Sequence, residues 1–489
     1  MSVVAEIIMN AVAEITMNAA AQITMNAATR TPMSVVAEID MNAATRTPMT
    51  AAAQNPMNAV ALIPIPAVKK PLPRWPQIAS FLLISRHNYN QTTRMLQVRL
   101  ADDIWFMGFN DRRTHLFENI WPIPHGISYN SYLLIDEKVA LIDTVERQFI
   151  DDYLDNVESL LNGRQVDYLV INHMEPDHSG ALKALITKYP GVTLVGNKKT
   201  FQLVESFYME PRNILEVYDD DTLELGRHTL KFRSIPMVHW PETMVSYEMN
   251  HHILFAGDAF GSYGTLDGGI FDDEINLDFY EVEVMRYFTN IVGKYCAHTQ
   301  RAIKKLADLE IRMIAATHGP VWRTDLHWVL SRYNKWSSYD MDNGVVIVYG
   351  SMYGNTQKMA EVIARRLAER GIKNIRVYDA SKTHSSYIIN DIFKYKGFIV
   401  GSCAYNNALF PNVETLLSTI EHMGVKNHYL GIFGNYSWNG GGVKNLMEFA
   451  GKVKWEMVYN PIEEKGALKA DTREELLLLA DAMADKLNQ

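Results

Sequence analysis

Four largely apolar runs in the middle of the chain each stop at a residue that can bind a metal. Val166-Asp167-Tyr168-Leu169-Val170-Ile171 leads to His173, and Phe232 to Val238 leads to His239. Ile253 to Gly257 leads to Asp258, and Ile311 to Thr317 leads to His318. Short apolar runs bounded by turn signals read as buried strands. Any one of these histidines alone reads as an ordinary core or surface residue, but the repeated strand-then-ligand pattern points to a fold that holds reactive side chains at several strand ends on a rigid scaffold. The first run ends in the densest stretch, His173-Met174-Glu175-Pro176-Asp177-His178, with four potential ligands in six residues. In an extended segment His173 and Glu175 share a face. Pro176 then turns the chain, so Asp177 and His178 can address a second point. One loop can thus begin two adjacent metal sites. A polar turn that only hydrogen-bonds its own backbone is the competing reading, and the density of ligands weighs against it. Ser179-Gly180 leads into Ala181 to Ile186, which reads as a helix.

The HxExDH loop with later His, Asp and His resembles the metallo-β-lactamase fold in its flavodiiron variant. Hydrolases of that fold carry HxHxDH and usually bind zinc. Here Glu175 stands where they have the second His. A carboxylate makes the site harder and richer in oxygen, which favours iron or manganese over zinc.

The length of 489 residues allows two or three domains, and 47% hydrophobic residues suffice for real cores. The net charge of −9 and the absence of a basic block make nucleic acid an unexpected partner. The only cysteines are Cys296 and Cys403, which suits a reducing cytoplasm. They are too few for an attached rubredoxin or zinc ribbon. No apolar run approaches the roughly 20 residues of a membrane span.

Residues 1–66 form a tandem repeat. Met recurs every eight residues from Met1 to Met57. That period gives no fixed helical face, and Pro32, Pro48, Pro56, Pro64 and Pro66 interrupt any long helix. The expectation is a disordered, low-complexity extension over 1–66 and a linker over 67–94, with Met95 as a natural start. Residues 95–340 alternate strands and helices. Ser131 to Ile135 and Val139 to Asp143 read as paired strands, and Phe149 to Leu161 as an amphipathic helix ended by Asn162-Gly163. This suits an αββα sandwich. Ser337 to Asn343 reads as a polar connector to a second domain over 344–489.

That second domain opens with the strand Val345 to Tyr349, the loop Ser351-Met352-Tyr353-Gly354-Asn355-Thr356 and the helix Gln357 to Arg370. Backbone N–H groups at such a helix start cradle anions. The loop is neither a Walker loop nor the GxGxxG fingerprint; it resembles the phosphate loop of flavodoxin. Two further loops follow apolar strands. Ser402-Cys403-Ala404-Tyr405-Asn406-Asn407 follows Gly397 to Gly401, and Gly434-Asn435-Tyr436-Ser437-Trp438-Asn439-Gly440-Gly441-Gly442 follows Leu430 to Phe433. Loops at the carboxyl ends of parallel strands are where doubly wound sheets bind ligands. Tyr405 and Trp438 are placed to meet an isoalloxazine ring. The helix Thr472 to Leu487, with Asp471 as its cap, is expected to cover one face of the sheet. Neither cysteine is given a redox role.

Over about residues 96–489 the resemblance implies FMN, a non-haem di-iron centre, and reduction of O2 to water or of NO to N2O. It assigns His173, Glu175 and His239 to one iron, and Asp177, His178 and His318 to the other, with Asp258 as the bridge. In some family members the His matching His178 is not a ligand. It assigns FMN to Ser351, Met352, Tyr353, Gly354, Asn355 and Thr356, to Ser402, Ala404, Tyr405, Asn406 and Asn407, and to Gly434, Asn435, Tyr436, Ser437, Trp438, Gly440 and Gly441. The metals and flavin carry the hard chemistry, and the protein positions them. The resemblance further implies a rubredoxin or similar small protein as electron donor. It also implies a head-to-tail homodimer, or a tetramer of such dimers, in which the flavin of one chain faces the di-iron site of its partner. Two other classes remain: a zinc hydrolase with an accessory flavodoxin domain, and a pure electron carrier whose metal domain is inert.

Overall fold

The computed structural model describes residues 97–489. The expected extension over 1–66 and linker over 67–94 lie outside the described residues. A seven-stranded sheet runs, in spatial and chain order alike, through Val98–Ala101, Ile104–Phe106, Tyr132–Ile135, Val139–Ile142, Tyr168–Val170, Thr193–Gly196 and Ile214–Glu216. A five-stranded sheet runs through Thr222–Glu224, Thr229–Ser234, Met244–Glu248, Ile253–Gly257 and Met313–Ala316. Alternation along each strand explains why the sheets stack. Tyr132, Leu134, Ala140 and Ile142 turn inward and share one core with Phe232, Met244, Phe255 and Ala315 of the other sheet. Leu133, Val139 and Leu141 turn outward. The helix Ile150–Leu161 covers them with Tyr153, Val157 and Leu161, one per helical turn. It ends at Asn162, in the left-handed region at φ 49°.

The second half is a parallel sheet in the order Ile375–Asp379, Asp342–Gly350, Tyr395–Cys403, Tyr429–Tyr436, with Glu456–Met457 and Ile462–Lys465 both pairing to the last of these. Helices lie on both faces. The C-terminal helix Ala470–Leu487 buries Leu476, Leu479, Ala480, Met483 and Leu487 against the sheet and against the helix Asn355–Glu369. Arg366 Nε reaches Asp481 Oδ1 across that helix pair at 2.7 Å.

Several boundaries differ from the sequence-based expectation. The strand before His239 closes at Ser234, because Pro236 has no N–H to pair and Met237 takes a φ of 66°. His239 therefore stands on a turn. The connector is 338–341 alone, since the helix Leu326–Ser337 and the strand Asp342–Gly350 take the flanks. In the parallel sheet, pairing of Ser402 with Gly434 and Cys403 with Asn435 extends both strands beyond their apolar runs. Ser402, Cys403, Gly434, Asn435 and Tyr436 thus lie on strands, not in loops. Asp471 lies inside the terminal helix, whose N-cap position is Lys469 with no capping side chain.

Candidate metal centre and flavin site

Beyond the strand Tyr168–Val170, the buried carboxylate of Asp143 holds the chain in place. Its Oδ1 accepts the N–H of Asn172 at 2.8 Å and of His173 at 3.2 Å. Glu175 is extended (φ −55°, ψ 140°), and Pro176 then starts the short helix Pro176–Ser179. His173 and Glu175 consequently point to one place, and Asp177 and His178 to another. His239 Nε2 lies 3.0 Å from Glu175 Oε2 and 3.0 Å from Asp258 Oδ2. His173 Nε2 lies 3.3 Å from that Glu175 oxygen and 3.5 Å from Asp258 Oδ2. The second cluster faces the other oxygen: Asp258 Oδ1 is 2.9 Å from His178 Nε2 and 3.7 Å from His318 Nε2. His178 and His318 present their Nε2 atoms to each other at 3.0 Å, each 3.3 Å from Asp177 Oδ2. Within each cluster the ligand-capable atoms lie within 4.8 Å of one another. All seven side chains are buried.

Three carboxylates packed this deeply call for positive charge. Burial opposes ionisation of Asp258, yet the charges of His178 and His173 hold its carboxyl well below the usual range. Burial also opposes protonation of His178, but Asp177 and Asp258 lift it to about 9. Hydrogen bonds to Asp258 and Glu175 raise His239 to about 9 in the same way, against burial. A bound cation meets the same demand while leaving the imidazoles neutral.

Around these candidate ligands lies a set of supporting groups, of which Glu242 is one that the sequence pattern does not mark. Glu242 Oε1 accepts His173 Nδ1–H at 2.9 Å and the Met174 N–H at 2.9 Å. His318 donates from Nδ1 to the Ser128 carbonyl at 2.7 Å. Each contact fixes a tautomer and leaves Nε2 facing the cluster. Thr317 Oγ1 donates to Asp258 Oδ1 at 2.5 Å. Aromatic rings wall the second cluster: Phe117, Tyr129 and Tyr287 stand 5.4, 5.6 and 5.5 Å from the His318 ring. The segment Ser128–Asn130 supplies both Tyr129 and the Ser128 carbonyl.

In the parallel sheet, Gly354 sits at the N-cap of the helix Asn355–Glu369 with a φ of 85°. Ser351 Oγ accepts the Gly354 N–H at 3.0 Å and so closes the loop. The buried Thr356 Oγ1 has no partner. Gly441 is required where the second and third loops meet, because a Cβ there would lie 2.3 Å from the Asn407 carbonyl oxygen. Around this cradle stand exposed rings, with Tyr353 at 87%, Trp438 at 80% and Tyr405 at 42% exposure. Met352, Asn406, Asn407 and Ser437 are also exposed, while Asn355, Ala404, Tyr436 and Gly440 are half-buried. Two candidates are occupied elsewhere. Ser402 Oγ accepts the Phe410 N–H and donates to the Cys403 carbonyl, and Asn435 Nδ2 serves the carbonyls of Glu464 and Gly466. Their side chains brace the loops. Cys296 and Cys403 are buried and unpaired.

Residues 127–319 match a model described as ODP family beta lactamase, and residues 347–481 match flavodoxin. An anaerobic nitric oxide reductase flavorubredoxin of Aliivibrio fischeri is 32% identical over 357 residues, 72% of each chain. The chain belongs to the flavodiiron family. Among solved structures, rubredoxin oxygen:oxidoreductase from Desulfovibrio gigas is 30% identical, covers 80% of this chain and 98% of its own, and has a TM-score of 0.78. The flavodiiron protein from Giardia intestinalis covers the same shares at 25% identity and a TM-score of 0.75.

As a flavodiiron protein this chain is an oxidoreductase that uses FMN and a di-iron centre. The residues present fit both groups. Both oxygens of Asp177 and Nδ1 of His178 are buried without hydrogen-bond partners, and four imidazoles meet three carboxylates in a closed space. The unpartnered Thr356 hydroxyl at a helix start fits a phosphate.

Proposed function

We propose that this flavodiiron protein reduces nitric oxide or dioxygen at a di-iron site fed by FMN. The observation that carries the proposal is Asp258, whose two oxygens face two separate ligand clusters. In this reading His173, Glu175 and His239 would hold one iron and Asp177, His178 and His318 the other, with Asp258 offering one oxygen to each group. Bound iron and FMN supply the electrons, which no side chain here can. The chain's own groups set the geometry. Glu242 and the Ser128 carbonyl hold the Nδ1 protons of His173 and His318, so that both Nε2 atoms face inward. Phe117, Tyr129 and Tyr287 pack around the His318 ring and hold it in place. The segments 351–356, 404–407 and 436–441 would hold the FMN, with Thr356 at the helix start suited to its phosphate and Tyr405 and Trp438 to its ring. Ser402 and Asn435 contribute by bracing those loops.

The domains in this reading are a di-iron domain over 95–340 and an FMN domain over 344–489, behind the repeat extension. Relatives named flavorubredoxin and rubredoxin oxygen:oxidoreductase support a rubredoxin-type donor. NADH alone is expected not to drive turnover. The working unit is a head-to-tail dimer or a tetramer of such dimers. Among the described residues no helix is long and apolar enough to cross a membrane, and we place the protein in the cytoplasm. The deciding experiment reduces iron-loaded, FMN-loaded protein anaerobically and then follows NO and O2 consumption. Uptake of either gas is expected. A protein isolated with zinc, without flavin, and inert to both gases would overturn the reading.

A further inference from the structure

Arg286 is 0% exposed. A charge this deep needs partners, and its partners come from both halves of the chain. Its Nη2 and Nε reach Glu283 Oε2 at 2.6 and 3.1 Å, and its Nη1 donates to Ser386 Oγ at 3.2 Å. The guanidinium also lies over two rings, Tyr263 at 4.5 Å and Tyr387 at 4.6 Å. Glu283 and Tyr263 belong to the metal-binding half, while Ser386 and Tyr387 belong to the helix Ser385–Lys394 of the flavodoxin half. Asn290 Nδ2 reinforces the seam, donating to the Arg286 carbonyl at 2.7 Å and the Ser386 carbonyl at 3.3 Å. Only a planar guanidinium can stack on rings while its edge donates hydrogen bonds.

The contacts do not stop at the seam. Tyr263 packs edge-on against Tyr287 at 5.1 Å and against Phe117 at 5.7 Å. Those two rings stand 5.5 and 5.4 Å from His318. Trp121, which pairs with Phe117 in a short hairpin, meets His384 of the flavodoxin half at 6.3 Å. The aromatic wall beside His318 is therefore tied at two points to the other domain, at the first turn of that helix and at its N-cap His384.

We propose that Arg286 is a positioning residue: stacked between Tyr263 and Tyr387, it transmits the docking of the flavodoxin domain to the aromatic wall over His318. The guanidinium touches no candidate metal ligand and no flavin loop, so its effect passes through Tyr263. This rests on the reading of His318 as an iron ligand.

The test uses full-length protein loaded with iron-57 and FMN, and three variants: Arg286→Met, Arg286→Lys and Tyr387→Leu. Arg286→Met strands the Glu283 carboxylate, a change that can unfold a domain. Tyr387→Leu lies in the other domain, removes one stacking face and leaves the ion pair intact, so it decides the question by itself. Two quantities are read: hydrogen exchange of the helix Ser385–Lys394, and the Mössbauer spectrum of the resting iron. Exchange should quicken by about tenfold in Tyr387→Leu, and one of the two iron signals should change its quadrupole splitting at unchanged iron content. Arg286→Lys should lie between wild type and Arg286→Met on both readouts. If Tyr387→Leu loosens the helix and leaves the spectrum as in wild type, the seam is only structural and the proposal falls. Unchanged exchange in Tyr387→Leu also overturns it, since the stack then does not hold the domains. Wild-type protein that takes up no iron defeats the underlying functional reading instead, which the spectrum shows before any variant is compared.

Discussion

At the scale of single residues, the candidate ligands that the fold gathers were legible, and the hydrogen bonds that orient them were not. His173, Glu175, Asp177 and His178 announce themselves by crowding into one loop, and Asp258 and His318 by ending apolar strands. Glu242 carries no such mark, because its role depends on a hydrogen bond to His173 that spans a large sequence separation. The only hint was its place shortly after His239. Ser128 acts through its backbone carbonyl, which no sequence pattern reports. Two predictions belong here. Glu242→Ala should leave the fold intact but free His173 to rotate, weakening iron retention by about 10- to 100-fold. Iron content after dialysis against a graded chelator series measures this, and retention equal to wild type would remove Glu242 from the support of the site. Asp258→Ala should cost both metals, because it faces both clusters, whereas His178→Asn should cost at most the metal of the second cluster, and full iron retention would show that this imidazole is not a ligand. Iron stoichiometry beside circular dichroism separates metal loss from unfolding.

At the scale of elements, periodicity located the strands and helices, while tertiary pairing set their ends. The apolar run before His239 looked like one strand, but Pro236 cuts it short. The strands ending at Cys403 and Tyr436 ran longer than their apolar cores, because each pairs with the other and polar residues there still find ladder partners. The start of the strand Tyr429–Tyr436 holds a test of element stability. His428 is 2% exposed; its Nε2–H donates to the Ile392 carbonyl at 2.8 Å, and its Nδ1 has no partner. Burial lowers it from 6.5 to about 4. The unfolded chain therefore binds this proton at a higher pH than the folded chain does. Stability is lost as pH falls from about 6.5 towards about 4, by up to about 3 kcal/mol. His428→Gln keeps a donor for Ile392 and cannot take the proton. Its unfolding free energy from urea titrations should fall less steeply than that of wild type across that window. Parallel pH profiles would show that His428 is not what drives the acid limb.

At the scale of the whole molecule, the metal cluster and the flavin cradle are separate constructions. The cluster lies at strand ends of the two stacked sheets, and the cradle lies at the carboxyl ends of the parallel strands. Electron transfer weakens steeply with distance, so a working molecule must bring a cradle close to a cluster. The exposed rings of Tyr353, Tyr405 and Trp438 make the cradle end apolar as well as open. A two-fold pairing in which each cradle meets the partner's cluster would cover that surface twice. Mixing two dead variants tests this arrangement. His173→Ala should lose the iron site and keep FMN. Gly354→Asp should put a charge beside the flavin phosphate and a side chain at a φ of 85°, losing FMN and keeping iron. Each variant alone should be inactive. In a mixed dimer with transfer between chains, the intact cradle of one variant faces the intact cluster of the other. Activity should then return to at most about half of wild type per dimer, by site count. Transfer within a chain leaves every cluster in the mixture without its flavin. A mixed dimer purified on two different tags that remains inactive, with iron and FMN each at half occupancy, would refute transfer between chains.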